Sequence, residues 1–127
     1  MTNSTHTQLS VDDVASYLAG WSLRFGTEEL LQEDVAAALA ASAWRCEREF
    51  VLTKSSRVDF YLPDLQIGIE CKVGSSMAQV TRQIVRYANH DSIAALILIS
   101  RKCSHSLTTE TVCGKPFRFV WVGDNQL

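Results

Sequence analysis

A chain of 127 residues, 46% hydrophobic and 20% charged, has the length of one domain and can bury a sizeable core without staples. No apolar run approaches the ~18 residues needed to span a bilayer, and the polar opening over residues 1–10 resembles neither a signal peptide nor a transit peptide. Twelve basic against fourteen acidic residues leave a net charge of −2. That excludes a protein holding nucleic acid by bulk charge alone, but not one whose acidic centre carries bound cations.

Residues 1–10 read as a frayed lead-in. Ser10 is placed to cap a first helix over 10–20, with Asp13 as an approximate capping box and Val11, Val14 and Leu18 on one face. A loop over 20–26 carries two aromatic anchors, Trp21 and Phe25. Thr27 caps a second helix, whose first turn holds Glu28 and Glu29, where the helix dipole favours anions. Leu31, Val35, Ala38 and Leu39 form its apolar stripe.

Strands follow over 44–52, 57–62 and 66–73, separated by a turn cluster at 53–56 and a Pro63-Asp64 turn. Arg45, Glu47, Arg48 and Glu49 make the first an exposed strand. Gly74-Ser75-Ser76 ends the third and caps a helix running to about residue 89. Met77, Val80, Ile84, Tyr87 and Ala88 recur on that helix at helical spacing, while Arg82 and Arg86 stand together on its other side. The run 93–99 is apolar throughout, the mark of a strand covered on both faces. A polar connection leads to a last strand over 116–122. Helix, three strands, helix and strand, then a further strand, predict an α/β fold with a mixed central sheet flanked by helices, in a single domain.

Four cysteines do not demand a disulfide framework in a chain with this much core, so a reducing, cytoplasmic home is expected. Cys71 reads as a small buried hydrophobe. Cys103, His105 and Cys113 offer three ligands and no second cysteine pair, so zinc is not expected. His90, just beyond a helix, reads as a C-terminal cap.

Chemistry concentrates in the hairpin. Strand alternation sets Ile67, Ile69, Cys71 and Val73 on one face of the third strand, and Glu70 and Lys72 on the other. Gly68, on the charged side, leaves room for a backbone or ligand to approach. The turn at Pro63-Asp64 folds the second strand back, so that Asp59 lies beside Glu70. Two hard oxygen ligands on adjacent strands suit Mg²⁺ or Mn²⁺, and Lys72 alongside could stabilise developing negative charge or help deprotonate a water.

Asp59, a gap, then Glu70-Cys71-Lys72 resembles the signature of the PD-(D/E)XK nuclease superfamily. Its leading proline is replaced here by Val58. The resemblance covers residues 27–100 and implies a restriction-endonuclease-like core of helix, three strands, helix and strand. It also implies a glutamate on the first core helix, which Glu28 matches. Gln83-Ile84-Val85-Arg86-Tyr87 is similar to the Gln-x-x-x-Tyr motif of RecB-type members, with Gln83 and Tyr87 one above the other.

The expectation is a Mg²⁺- or Mn²⁺-dependent deoxyribonuclease that leaves 3′-hydroxyl and 5′-phosphate ends. Asp59 and Glu70 hold the metal, Lys72 assists the attack, and Glu28 and Gln83 complete the site. Arg82, Arg86, Arg57, Lys54 and Tyr87 are the candidates for contact with DNA. Two alternatives stand beside it: a catalytically weak nuclease-fold binding or assembly module leaning on an accessory protein, and a dimeric Holliday-junction resolvase. For a dimer, the first helix and the last strand, with Phe117, Phe119 and Trp121, supply candidate faces. No membrane partner is expected.

Overall fold

The computed structural model describes residues 2–105 and 109–123, with side chains from Ser10 onward in the first helix. Ten elements follow in order: helix α1 (Thr2–Ala19), helix α2 (Glu28–Ala40), strands β1 (Glu47–Thr53), β2 (Ser56–Leu62) and β3 (Ile67–Lys72), helix α3 (Met77–Ala88), strand β4 (Ala95–Ser100), a 3₁₀ turn (Cys103–His105), and strands β5 (Thr111–Val112) and β6 (Lys115–Trp121). The fold is α/β, with a six-stranded mixed sheet in the order β1-β2-β3-β4-β6-β5. β1 to β3 run antiparallel, while β4 lies parallel to both β3 and β6.

Local chemistry explains where α2 and α3 begin. Thr27 accepts a hydrogen bond from the Leu30 amide and starts α2. Ser76 and Gln79 form a reciprocal capping box at the head of α3. α1 departs from expectation: it begins at Thr2, so Ser10 lies inside the helix and caps nothing. Residues 2–9 carry no apolar period by which a helix could be recognised. In the loop after α1, Phe25 packs against the core and Trp21, though exposed, lies against the Tyr17 ring; Arg24 adds a guanidinium fork onto Asp34.

Two apolar clusters sandwich the sheet. Val11, Val14 and Leu18 of α1 and Leu31, Val35 and Leu39 of α2 pack on one face, against Ile67, Ile69 and Cys71 of β3 and Ala95, Ile97 and Ile99 of β4. Val80, Ile84 and Tyr87 of α3 cover the other face, with Leu96 and Leu98. The odd–even division along β4 is the strand period at work, and all six of its residues are buried.

The same packing buries the apolar stripe of α1, while among the described residues β5 pairs only with Lys115 and Pro116 of β6. Val11, Val14 and Leu18 are fully buried, and β6 lies inside the sheet between β4 and β5. Phe117 is buried and Phe119 packs against the α3-side cluster. Gly68 also has a different role from the one expected. A Cβ there would meet Ile93 and Leu96 methyls at 3.0 Å and Val58 at 3.3 Å, so core side chains, not a ligand, take its space. Among the described residues no helix is long and apolar enough to cross a membrane.

Candidate active site

The β2–β3 hairpin pairs Leu62 with Ile67, Tyr61 with Gly68 and Phe60 with Ile69. One step further the register sets Asp59 opposite Glu70, and there the main-chain ladder gives way to side chains. The Asp59 amide donates to Glu70 Oε1 at 3.2 Å, and the Cys71 amide donates to Asp59 Oδ2 at 2.9 Å. Each carboxylate thus closes onto the opposite strand's backbone, which holds both in fixed rotamers across the fork.

On its outer side Asp59 faces a kink. Glu49 has φ +53°, and the β1–β2 pairing skips the Glu49–Asp59 step between Arg48–Phe60 and Phe50–Val58. Val58 accordingly packs on the α3 side while Phe60 packs on the α1–α2 side. A left-handed glutamate in a strand is a strained conformation; Glu49 is exposed on the edge strand, between the paired residues Arg48 and Phe50. Its neighbour Arg57 reaches Glu49 Oε1 with Nε at 3.9 Å.

Lys72 Nζ lies 3.2 Å from Glu70 Oε2, with side-chain exposures of 13% and 3%. Tyr87 Oη donates to the Arg57 carbonyl at 2.7 Å, stands 3.4 Å from Glu70 Oε2, and accepts from Gln83 Nε2 at 2.7 Å. A single chain of contacts therefore runs from Lys72 through Glu70 and Tyr87 to Gln83.

Burial dominates the electrostatics. It pushes the Asp59 carboxyl up to about 6, partly offset by the Cys71 amide and Lys72, with Glu28 and Glu49 adding further repulsion. Glu70 rises to about 8, through burial first and the charge of Asp59 second, against the pull of Lys72. Burial and the two acids also push the Tyr87 phenol and the Cys71 thiol upward. Glu70 is the member of the pair that keeps its proton longer.

Among the described residues no three of His, Cys, Asp and Glu gather tightly enough to hold an ion unaided. The donor set still fits one kind of cation. Glu70, buried, and Asp59, half-buried, both hold protons more tightly than usual; a hard divalent ion would displace those protons and stabilise the ionised pair, with waters and substrate oxygens completing a Mg²⁺ shell.

The structure sets Asp59 beside Glu70 and Lys72, as the hairpin reading expected; Gln83, whose place in the site the resemblance implied, reaches them only through Tyr87, and Glu28 is near enough to raise the Asp59 carboxyl. Arg57 on β2 and Lys54 in the β1–β2 turn are exposed. Arg82 and Arg86 line an open cleft of about 290 Å³ with Ser75, Gln79 and Gln83. Tyr87 is a correction: at 1% exposure it cannot touch DNA. It shares the apolar face of α3 with Val80 and Ile84, and its hydroxyl is satisfied inside.

Glu49 escaped the sequence reading. Hairpin register could have placed it opposite Asp59, but not its left-handed backbone. A larger cavity of about 380 Å³, bounded by Ala36, Leu39, Trp44, Cys46 and Phe60, contains none of the Asp59–Glu70–Lys72 set. Of the residues considered for zinc, His105 has both ring nitrogens engaged, by Ser100 Oγ and the Ser75 carbonyl. His90 braces the turn after α3, where its Nδ1 accepts from the Ser92 amide. No family model, curated protein or solved structure matches this chain.

Proposed function

We propose that the protein is a metal-dependent nuclease that hydrolyses phosphodiester bonds in DNA. The segment from α2 to β4 would serve as a restriction-endonuclease-like core, since its order is helix, three strands, helix and strand. The observation carrying this reading is the cross-strand placement of Asp59 and Glu70, each bonded to the other strand's backbone, with Lys72 alongside.

A bound Mg²⁺ or Mn²⁺ would polarise the scissile phosphate and acidify a water. Asp59 and Glu70 would hold the ion, entering through Asp59 Oδ1 and sharing the oxygens that now accept from backbone amides and lie beside Lys72. Water adds to phosphorus as the bond to the 3′ oxygen breaks, giving a 3′-hydroxyl and a 5′-phosphate. As an ammonium Lys72 would stabilise charge on the phosphoryl oxygens; only as a neutral amine would it take the water's proton. Glu28 contributes negative charge beside Asp59, and Gln83 orients substrate or water at the rim. Tyr87 is a positioning residue that fixes Gln83 and the approach to Glu70.

A second reading, a nuclease-fold binding module, draws on one observation. Asp59 Oδ2 and both Glu70 oxygens already have partners, which leaves only Asp59 Oδ1 unoccupied. Labelled single-stranded, duplex and four-way DNA incubated with Mg²⁺, Mn²⁺ or EDTA separates the two. Cleavage that needs metal and is lost in Asp59→Asn and Glu70→Gln supports the enzyme. Binding without cleavage in every metal supports the module.

A further inference from the structure

The cleft along α3 has a composition that selects its ligand. No carboxylate and no aromatic ring lines it; its wall is Ser75, Gln79, Arg82, Gln83 and Arg86. Among the described residues neither arginine forms an ion pair. The two guanidiniums stand four residues apart on one helix face, about 6 Å along the axis. Gln79 Oε1 is taken by the Ser76 amide, which leaves the Gln79 amino group free to donate.

The rim is held from below. Ser75 sits at φ +81°, and its carbonyl receives His105 Nε2 at 2.9 Å and Lys102 Nζ at 3.4 Å. His105 is itself 1% exposed, with Nδ1 2.7 Å from Ser100 Oγ. The Ser75 carbonyl is therefore already occupied, and the two guanidiniums and the Gln79 amino group are the donors that line the cleft. Gln83 belongs to both regions. It lines the cleft, and its amide reaches Tyr87, whose hydroxyl approaches Glu70.

We infer that this cleft is a track for consecutive phosphates of a nucleic-acid strand, Arg82 and Arg86 each taking one, so that the substrate is a strand several nucleotides long and not a small phosphodiester. Its place in the reaction rests on the nuclease reading; its preference for phosphates does not. The lack of aromatic rings means no base stacks there, so the grip is independent of sequence.

Fluorescence anisotropy of a labelled oligonucleotide, in EDTA and across a salt series, tests the track without catalysis. Arg82→Gln/Arg86→Gln should bind about tenfold more weakly and flatten the log–log salt dependence by about 0.7 per lost phosphate for a single strand. Arg45→Gln, which removes one exposed charge paired with Asp64, should keep wild-type affinity. Both arginines of the track are exposed, and circular dichroism checks that the double variant folds. Unchanged affinity and slope in the double variant would overturn the track. So would an equal loss in Arg45→Gln, or polyglutamate competing as well as unlabelled oligonucleotide. Failure of the nuclease reading is seen separately, as an oligonucleotide left uncut by the wild type with Mg²⁺ or Mn²⁺.

Discussion

Asp59 and Glu70 are locked together through backbone: the amide of the first binds the carboxylate of the second at 3.2 Å, while Asp59's own carboxylate takes the Cys71 amide at 2.9 Å. The two acids therefore hold adjacent strands at the point where the ladder ends. They are structural and electrostatic partners before any ligand arrives. Their substitution has consequences for stability as well as for chemistry.

Without metal, stability should fall as pH rises. Glu70 keeps its proton to about pH 8 in the folded chain, against an ordinary value of 4.5, and Asp59 to about 6 against 3.8. Between those limits the folded state binds more protons than the unfolded state, so the gain is complete at low pH and is lost through pH 8. Thermal melts in EDTA from pH 5 to 9 read this directly. Glu70→Gln should flatten the profile and be the more stable protein at pH 8.5, by on the order of 1 kcal/mol or more. A wild-type profile that is flat or rises across this range would contradict the assigned shifts.

Tyr87→Phe should cost about 1–2 kcal/mol, because the Arg57 carbonyl and the Gln83 amide both lose a buried partner. Chemical denaturation measures the loss. In an active preparation the same variant should lower turnover more than it changes KM, since Tyr87 positions Glu70 and Gln83 and touches no substrate. Stability equal to wild type would show that the hydroxyl is not needed there.

Gly68→Ala should destabilise by about 1–3 kcal/mol through overpacking. The added methyl would press on Ile93, Leu96 and Val58, all buried and with little room to yield. An unchanged denaturation midpoint would show that the core yields more easily than its packing suggests.

Much of this site was legible because strands and helices have fixed periods. Alternation along 67–73 separated Glu70 and Lys72 from Ile67, Ile69, Cys71 and Val73, and the structure keeps that division. A spacing of four placed Gln83 on Tyr87, and they are hydrogen-bonded. What escaped depends on tertiary packing. Glu49 owes its left-handed backbone to a kink between strands, for which no local residue pattern exists. β5 is two residues long, too short to carry a period. The early start of α1 lacks an apolar stripe, and the burial of Tyr87 follows from how α3 seats on the sheet.

The most direct measurement is a Mn²⁺ titration followed by electron paramagnetic resonance, on the wild type and on Asp59→Asn and Glu70→Gln at pH 8. One ion bound per chain, lost in both variants while circular dichroism stays native, is the expected result. Equal Mn²⁺ binding in all three proteins, or none in the wild type, would contradict a shared cation between Asp59 and Glu70.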